Sequence, residues 1–195
     1  MSETPGSLSV DDARTLMHEW VESPALRGHM EAVAACMADH AALHAPDEVE
    51  AWTVAGLLHD FDYERHPTLE EHPTVGVAHL RTLGVDETIR EAILGHAPHT
   101  GVARTTSMAR HLFACDELAG FIVAVARVRP TGFEGLKARS VRKKLKDKAF
   151  AAAVSRADIA EGVADLISDG CVADENEHID RCIAAIGAVA DRVVG

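Results

Sequence analysis

Histidine and aspartate stand side by side at His59-Asp60, where the apolar run Ala55-Gly56-Leu57-Leu58 ends. Two more acids, Asp62 and Glu64, follow within about one helical turn. Adjacent residues on a helix lie about 100° apart around its axis, so both reach one centre only if it sits astride the helix surface. A metal ion is the usual centre of that kind. Imidazole offers a neutral nitrogen and carboxylate a hard anionic oxygen, a mixture that suits Mn, Fe, Co, Ni or Zn. His29, His96 and Asp116 also interrupt otherwise apolar helical faces. Burying Asp116 without a partner, in Phe113-Ala114-Cys115-Asp116-Glu117-Leu118-Ala119, would cost several kcal/mol. No lysine stands near it. Taken singly, Asp116 is explained as well by an arginine partner or a helix cap, and His29 by a core hydrogen bond. Taken together, such exceptions on four helices point to one shared cation.

The elements that carry these residues read as helices throughout. Ser9 and Asp12 resemble a capping box, and Ala13, Leu16, Met17, Trp20 and Val21 follow at helical spacing. A second helix starts near Pro24 and carries Leu26, Met30, Val33 and Met37 beside His29. A third runs through Val49, Trp52 and Gly56 into His59-Asp60, and a polar loop with Pro67 spans 62–71. The fourth opens at His72-Pro73 and stops at Gly84; the fifth runs from Asp86 to the break at Pro98. The sixth, 106–128, is apolar enough to be central. A turn at 130–135, a basic helix over 140–150 and helices near 156–168 and 174–193 complete the chain. No strand pattern, internal repeat or low-complexity run appears. The expectation is an all-α bundle with a lead of residues 1–8 read as disordered, a core over 9–128 and a helical extension over 129–195.

The bulk properties narrow the function classes. The chain has 195 residues, 4% aromatic and 47% hydrophobic, a balance that suits helices packed through small side chains rather than a β-sandwich. A net charge of −12 argues against general nucleic-acid or anionic-membrane binding. No apolar run has membrane-spanning length, and MSETPGSLS lacks a basic-then-apolar signal pattern, so a soluble, cytoplasmic protein is expected. Cys36, Cys115, Cys171 and Cys182 show no C-x-x-C spacing and fall in helical patterns, which reads as reduced core thiols.

The order His29, His59-Asp60, Asp116 resembles the H…HD…D signature of the HD superfamily of metal-dependent phosphohydrolases. His72-Pro73-x-x-Gly76 and the later His96 are similar to the additional histidines of its binuclear branch, and the resemblance covers residues 26 to about 120. The tail Ser140 to Lys148 looks like that of an uncharacterised bacterial subgroup of predicted hydrolases. The resemblance implies that His29, His59, Asp60 and Asp116 hold a first divalent transition metal. His72 and His96, with Asp60 bridging, would hold a second. Such a pair clamps a phosphoryl group and activates water for attack on phosphorus. The implied reaction is hydrolysis of a phosphoester in a small phosphorylated metabolite or nucleotide. Asp62 and Glu64 either orient ligands and pass a proton to the leaving group, or are solvated loop acids or caps. Binuclear phosphodiesterases of the superfamily often carry Gly and Lys after HD, and mononuclear nucleotidases a Glu; here Tyr63 stands there, with acids on both sides. The six-ligand set also resembles that of myo-inositol oxygenase, a di-iron enzyme. A non-catalytic protein that binds metal or nucleotide and signals through partners is the third reading.

Nine Lys/Arg and only two acids, Glu134 and Asp147, lie between Arg127 and Lys148. Arg127, Arg129, Lys143 and Lys144 are therefore candidates for attracting an anionic substrate, against a solvated basic helix that pairs with the acidic body, across a homodimer in one version. His79 is a rival to His72 as ligand. His66 and His99 are candidates for the mouth of a pocket. His18, His40, His44, His111 and His178 read as surface or incidental.

Overall fold

The computed structural model describes residues 8–194, and the lead expected over 1–8 lies outside them except for Leu8. Ten α-helices carry the described residues, and no strand occurs among them. The first is α1 (Val10–Trp20), whose N-cap Ser9 accepts the amide of Asp12 at 3.2 Å. Next comes α2 (Pro24–His44), opened by Pro24 in its first turn and by Ser23 accepting the amide of Leu26. One 3-10 turn, Pro46–Glu48, leads into α3 (Val49–Leu58). Then follow α4 (Thr74–Thr82), α5 (Glu87–His96) and the 21-residue α6 (Ser107–Arg127), capped by Thr106.

Two long apolar helices, α2 and α6, form the spine. Helix α3 packs along α2, and α5 packs along α6. Met30, Val33 and Met37 of α2 and Leu112, Leu118, Phe121 and Ile122 of α6 have no exposed surface. The α2–α3 contact is unusually close, because a Cβ on Gly56 would sit 2.6 Å from the Cα of Ala34. That contact brings the α2 residue His29 level with the end of α3. Glu31 of α2, 5% exposed, is held by Arg14 of α1 at 2.5 Å.

The remaining helices are α7 (Ala138–Leu145), α8 (Arg156–Ser168), α9 (Glu175–Ala188) and α10 (Ala190–Val193). Helix α8 lies on α6, and α9 lies across α2 and α6. Two helix ends in this part of the chain differ from the sequence reading. The basic helix stops at Leu145 rather than 150, where Arg156 takes up the carbonyls of Ala151 and Val154 at 2.5 and 2.8 Å and closes the chain into turns. The last helix, read as continuous over 174–193, breaks at Val189 (φ −121°, ψ 23°). No helix among the described residues is long and apolar enough to cross a membrane.

Candidate metal centre

Helix α3 ends at Leu58, so His59 and Asp60 sit on the turn that leaves it rather than on its face. The His59 ring folds back, and its Nδ1 donates to the carbonyl of Gly56 at 2.8 Å. His96 does the same at the end of α5, donating from Nδ1 to the carbonyl of Ile93 at 2.5 Å. His72 precedes α4 rather than riding on it, and its Nδ1 meets Oδ1 of Asp62 at 2.8 Å. A carbonyl oxygen and an ionised carboxylate only accept, so all three Nδ1 atoms carry hydrogen. In the neutral rings the three Nε2 atoms are therefore bare lone pairs.

Those lone pairs point at carboxylate oxygens. His72 Nε2 and His96 Nε2 each lie 3.3 Å from Oδ1 of Asp60. His59 Nε2 lies 3.5 Å from Oδ2 of Asp60 and 3.4 Å from Oδ1 of Asp116. His29, from α2, completes the set, with its Nε2 3.1 Å from His59 Nε2, 3.0 Å from Asp116 Oδ1 and 3.8 Å from Asp60 Oδ2. Acceptors facing acceptors at these distances repel unless positive charge lies among them. Two groups result, His29, His59 and Asp116, then Asp60, His72 and His96, each with its donor atoms within 4.8 Å of one another. Asp60 is shared, Oδ2 facing the first group and Oδ1 the second. The donors fit one or two divalent cations held by imidazole and carboxylate.

The same demand for positive charge shows in the proton affinities of these side chains. Burial disfavours a charged His59, yet the Asp60 and Asp116 carboxylates outweigh it and raise the imidazole to about 9. Burial is likewise overcome at His72, by hydrogen bonds and charge from Asp60 and Asp62, again to about 9. Asp60 and Asp116 are held below the usual carboxylate range by the histidines around them, in spite of burial.

Asp62 has no exposed surface. Its second oxygen accepts the amide of Gly76 at 2.7 Å, and a Cβ on Gly76 would overlap that carboxylate at 2.7 Å. Asp62 therefore orients His72 and does not line the cleft. Glu64 points elsewhere. Its Oε2 accepts the amides of Glu22 and Ser23 at 2.7 and 3.2 Å, so it caps the entrance to α2. Glu64 is thus a cap rather than a proton carrier beside the ligands.

A cleft of about 420 Å³ opens over the two groups. Tyr63, Leu69, Phe113 and Val154 form its apolar wall, and Glu117, Asp158 and His99 add polar atoms. Neither lysine nor arginine lines it. Arg127, exposed at the end of α6, and Lys143 and Lys144 are not among its lining. Lys143 lines a separate cleft of about 520 Å³ with Arg139, Arg142 and Arg156, and the Lys144 ammonium sits 4.7 Å from the centre of the Phe150 ring. The basic segment pairs locally instead, Arg142 with Glu175 at 2.6 Å.

His79 packs against Trp20, ring centres 4.8 Å apart, and is no rival to His72. His66 faces Glu71 at 3.4 Å, and His99 reaches the cleft by donating to the carbonyl of His72 at 2.8 Å. Glu117 and Asp158 were not singled out from the sequence. Glu117 has one signal there, its place next to Asp116; Asp158 has none before α8 is placed on α6.

Comparison with curated proteins returns no match, and neither does comparison with solved structures. The HD domain family matches residues 26–120, which span every candidate ligand from His29 to Asp116. That stretch is an HD domain.

Proposed function

We propose that the protein is a metal-dependent phosphohydrolase that cleaves a phosphoester in a small phosphorylated metabolite or nucleotide. One observation carries the reading. Three imidazoles have their Nδ1 hydrogens committed to Gly56, Ile93 and Asp62, and turn bare Nε2 atoms onto Asp60 and Asp116. When bound, divalent cations at such a site polarise a phosphoryl group and lower the pKa of water. His29, His59 and Asp116 would hold one cation, and His72 and His96 with the shared Asp60 a second. The Asp62–His72 hydrogen bond fixes the ring orientation and raises its basicity as a ligand.

The cleft walls bear on the substrate. With no lysine or arginine in the lining, no permanent positive charge of the protein meets an anion there. Glu117 and Asp158 repel a second anionic group away from the ligand cluster. The substrate favoured by this arrangement presents one phosphoryl group to the cluster and a neutral or basic remainder to Tyr63, Leu69, Phe113 and Val154.

Elemental analysis of the purified full chain, followed by a phosphoester panel assayed with that metal, tests the reading. Metal-dependent turnover that is lost in Asp60→Asn supports it. A fully metallated protein inert towards the panel, with iron bound and a mixed-valent electron paramagnetic resonance signal, replaces it with di-iron oxygenase chemistry on the same ligands. Inertness without that signal leaves a metal-binding regulatory protein.

A further inference from the structure

His40, His111 and His178, read from the sequence as surface or incidental, have no exposed surface at all. That correction uncovers a second group of donors. His178 and Cys182 lie one turn apart on α9 and project from the same side. They meet His40 from α2 and Cys115 from α6, and the four donor atoms fall within 4.8 Å of one another in the sealed interior. His40 Nε2 lies 3.0 Å from His178 Nδ1, and Cys182 Sγ lies 3.9 Å from the same Nδ1.

The proton positions expose a shortage. His178 Nε2 faces the carbonyl of Ala114 at 3.1 Å, which only accepts, so Nδ1 is bare. His111 Nδ1 faces the carbonyl of Ser107 at 2.8 Å, so its Nε2 is bare too, and that atom is buried with no partner. His40 has one hydrogen to place. On Nε2 it satisfies His178 but leaves His40 Nδ1 bare and buried, also without a partner. On Nδ1 it is buried without an acceptor, since that atom has no partner either way. It then leaves two bare nitrogens 3.0 Å apart beside two thiols. Two bare nitrogens buried face to face are costly, and a cation between His40 Nε2 and His178 Nδ1 removes that conflict.

We propose that His40, Cys115, His178 and Cys182 form a closed, four-coordinate Zn²⁺ site that pins α9 against α2 and α6. Two thiolates and two neutral imidazoles cancel the charge of the ion, so the assembly is neutral where no solvent reaches. Binding releases two thiol protons per ion, one each from Cys115 and Cys182. Tetrahedral zinc, with Zn–N about 2.0–2.1 Å and Zn–S about 2.3 Å, sets ligand atoms about 3.3 to 3.8 Å apart, and the contacts of 3.0 and 3.9 Å lie close to that range. The carbonyl of Ala114 holds the outer nitrogen of His178, as carbonyls commonly do for zinc-bound histidine. Cys36, whose Sγ lies 4.0 Å from the carbonyl of Cys182, stays a thiol beside the site. Half-exposed Cys171 takes no part.

The test is zinc-edge X-ray absorption on the wild-type full chain produced with ample zinc. No ligand of the HD centre contains sulfur, so a shell of sulfur neighbours at about 2.3 Å arises only from this second group. That shell is expected. It should vanish in Cys182→Ser with the loss of one zinc per chain, and persist in Cys171→Ser and Asp60→Asn. Zinc-loaded wild-type protein with nitrogen and oxygen neighbours alone, including the pattern that His40, His44 and His111 would give, overturns the proposal. The wild-type spectrum decides even if Cys182→Ser does not fold, and failure here leaves the hydrolase reading untouched.

Discussion

His72 Nδ1 and Asp62 Oδ1 lie 2.8 Å apart, and the other oxygen of the same carboxylate takes the amide of Gly76 at 2.7 Å. The fully buried carboxylate thus accepts from both sides and donates to neither. Asp62→Asn is the informative substitution. Its amide group must face either Gly76, where two donors collide, or His72, where it forces hydrogen onto the ligating nitrogen. We expect metal affinity at the Asp60, His72 and His96 group to fall by about 10–100-fold with the helical content unchanged. Isothermal titration with Mn²⁺ or Co²⁺ reads this directly, and an affinity equal to wild type would remove Asp62 from the centre.

Asp60 faces both groups of ligands, so its loss should exceed the loss of Asp62. Asp60→Asn is expected to lower kcat by more than about 100-fold and to abolish occupancy of the HD centre. His96→Ala, by contrast, should leave the group of His29, His59 and Asp116 able to bind. Metal counted per chain distinguishes the two variants.

The metal-free protein should lose stability as the solution becomes alkaline. His59 and His72 titrate at about 9 in the fold, against an ordinary 6.5. Between those values the fold binds more protons than the unfolded chain. The stabilisation is complete below pH 6.5 and gone above pH 9, on the order of a few kcal/mol in all. Denaturant midpoints of chelator-treated protein should fall across that window, and saturating metal should abolish the decline. A flat or rising profile without metal counts against this protonation scheme.

Charge reversal at Lys143 and Lys144 should leave the KM for an anionic phosphoester, and its dependence on salt, unchanged. Neither side chain lines the cleft. A raised KM would show that the basic helix reaches the substrate.

Glu64→Ala should cost about 1 kcal/mol of stability, because the amides of Glu22 and Ser23 lose their acceptor. With the ligands undisturbed, kcat should hold. Thermal unfolding and turnover measured on one preparation separate a cap from a proton carrier.

His29, His59, Asp60 and Asp116 were legible because each interrupts an apolar face, and a polar exception is conspicuous when its neighbours are Ala, Val and Leu. The helix order was legible from spacing and local signals, as at Ser9, Pro24 and Pro98. What depended on distant contacts was not. Asp62 and Glu64 look alike in sequence, two acids flanking Tyr63, and only the amide of Gly76 and the entrance to α2 assign them opposite tasks. Lys143 and Lys144 showed segregated charge, which says nothing about direction. His40 and His111 were not legible because α2 and α6 bury residues on several sides, so no single stripe marks what is inside. His178 did carry cues, its place on the stripe of Ile179, Cys182, Ile183 and Ile186, and an interval of one turn between an imidazole and a thiol.

Gly56 does two jobs at once: its missing side chain lets α3 press on the backbone of Ala34, and its carbonyl steers the His59 ring. The bite between the imidazoles of His29 and His59 is thus gauged by an absence, three residues upstream of the nearer one. Retuning this centre for a larger or smaller ion would begin there, with the gap between two helices, before any ligand is exchanged.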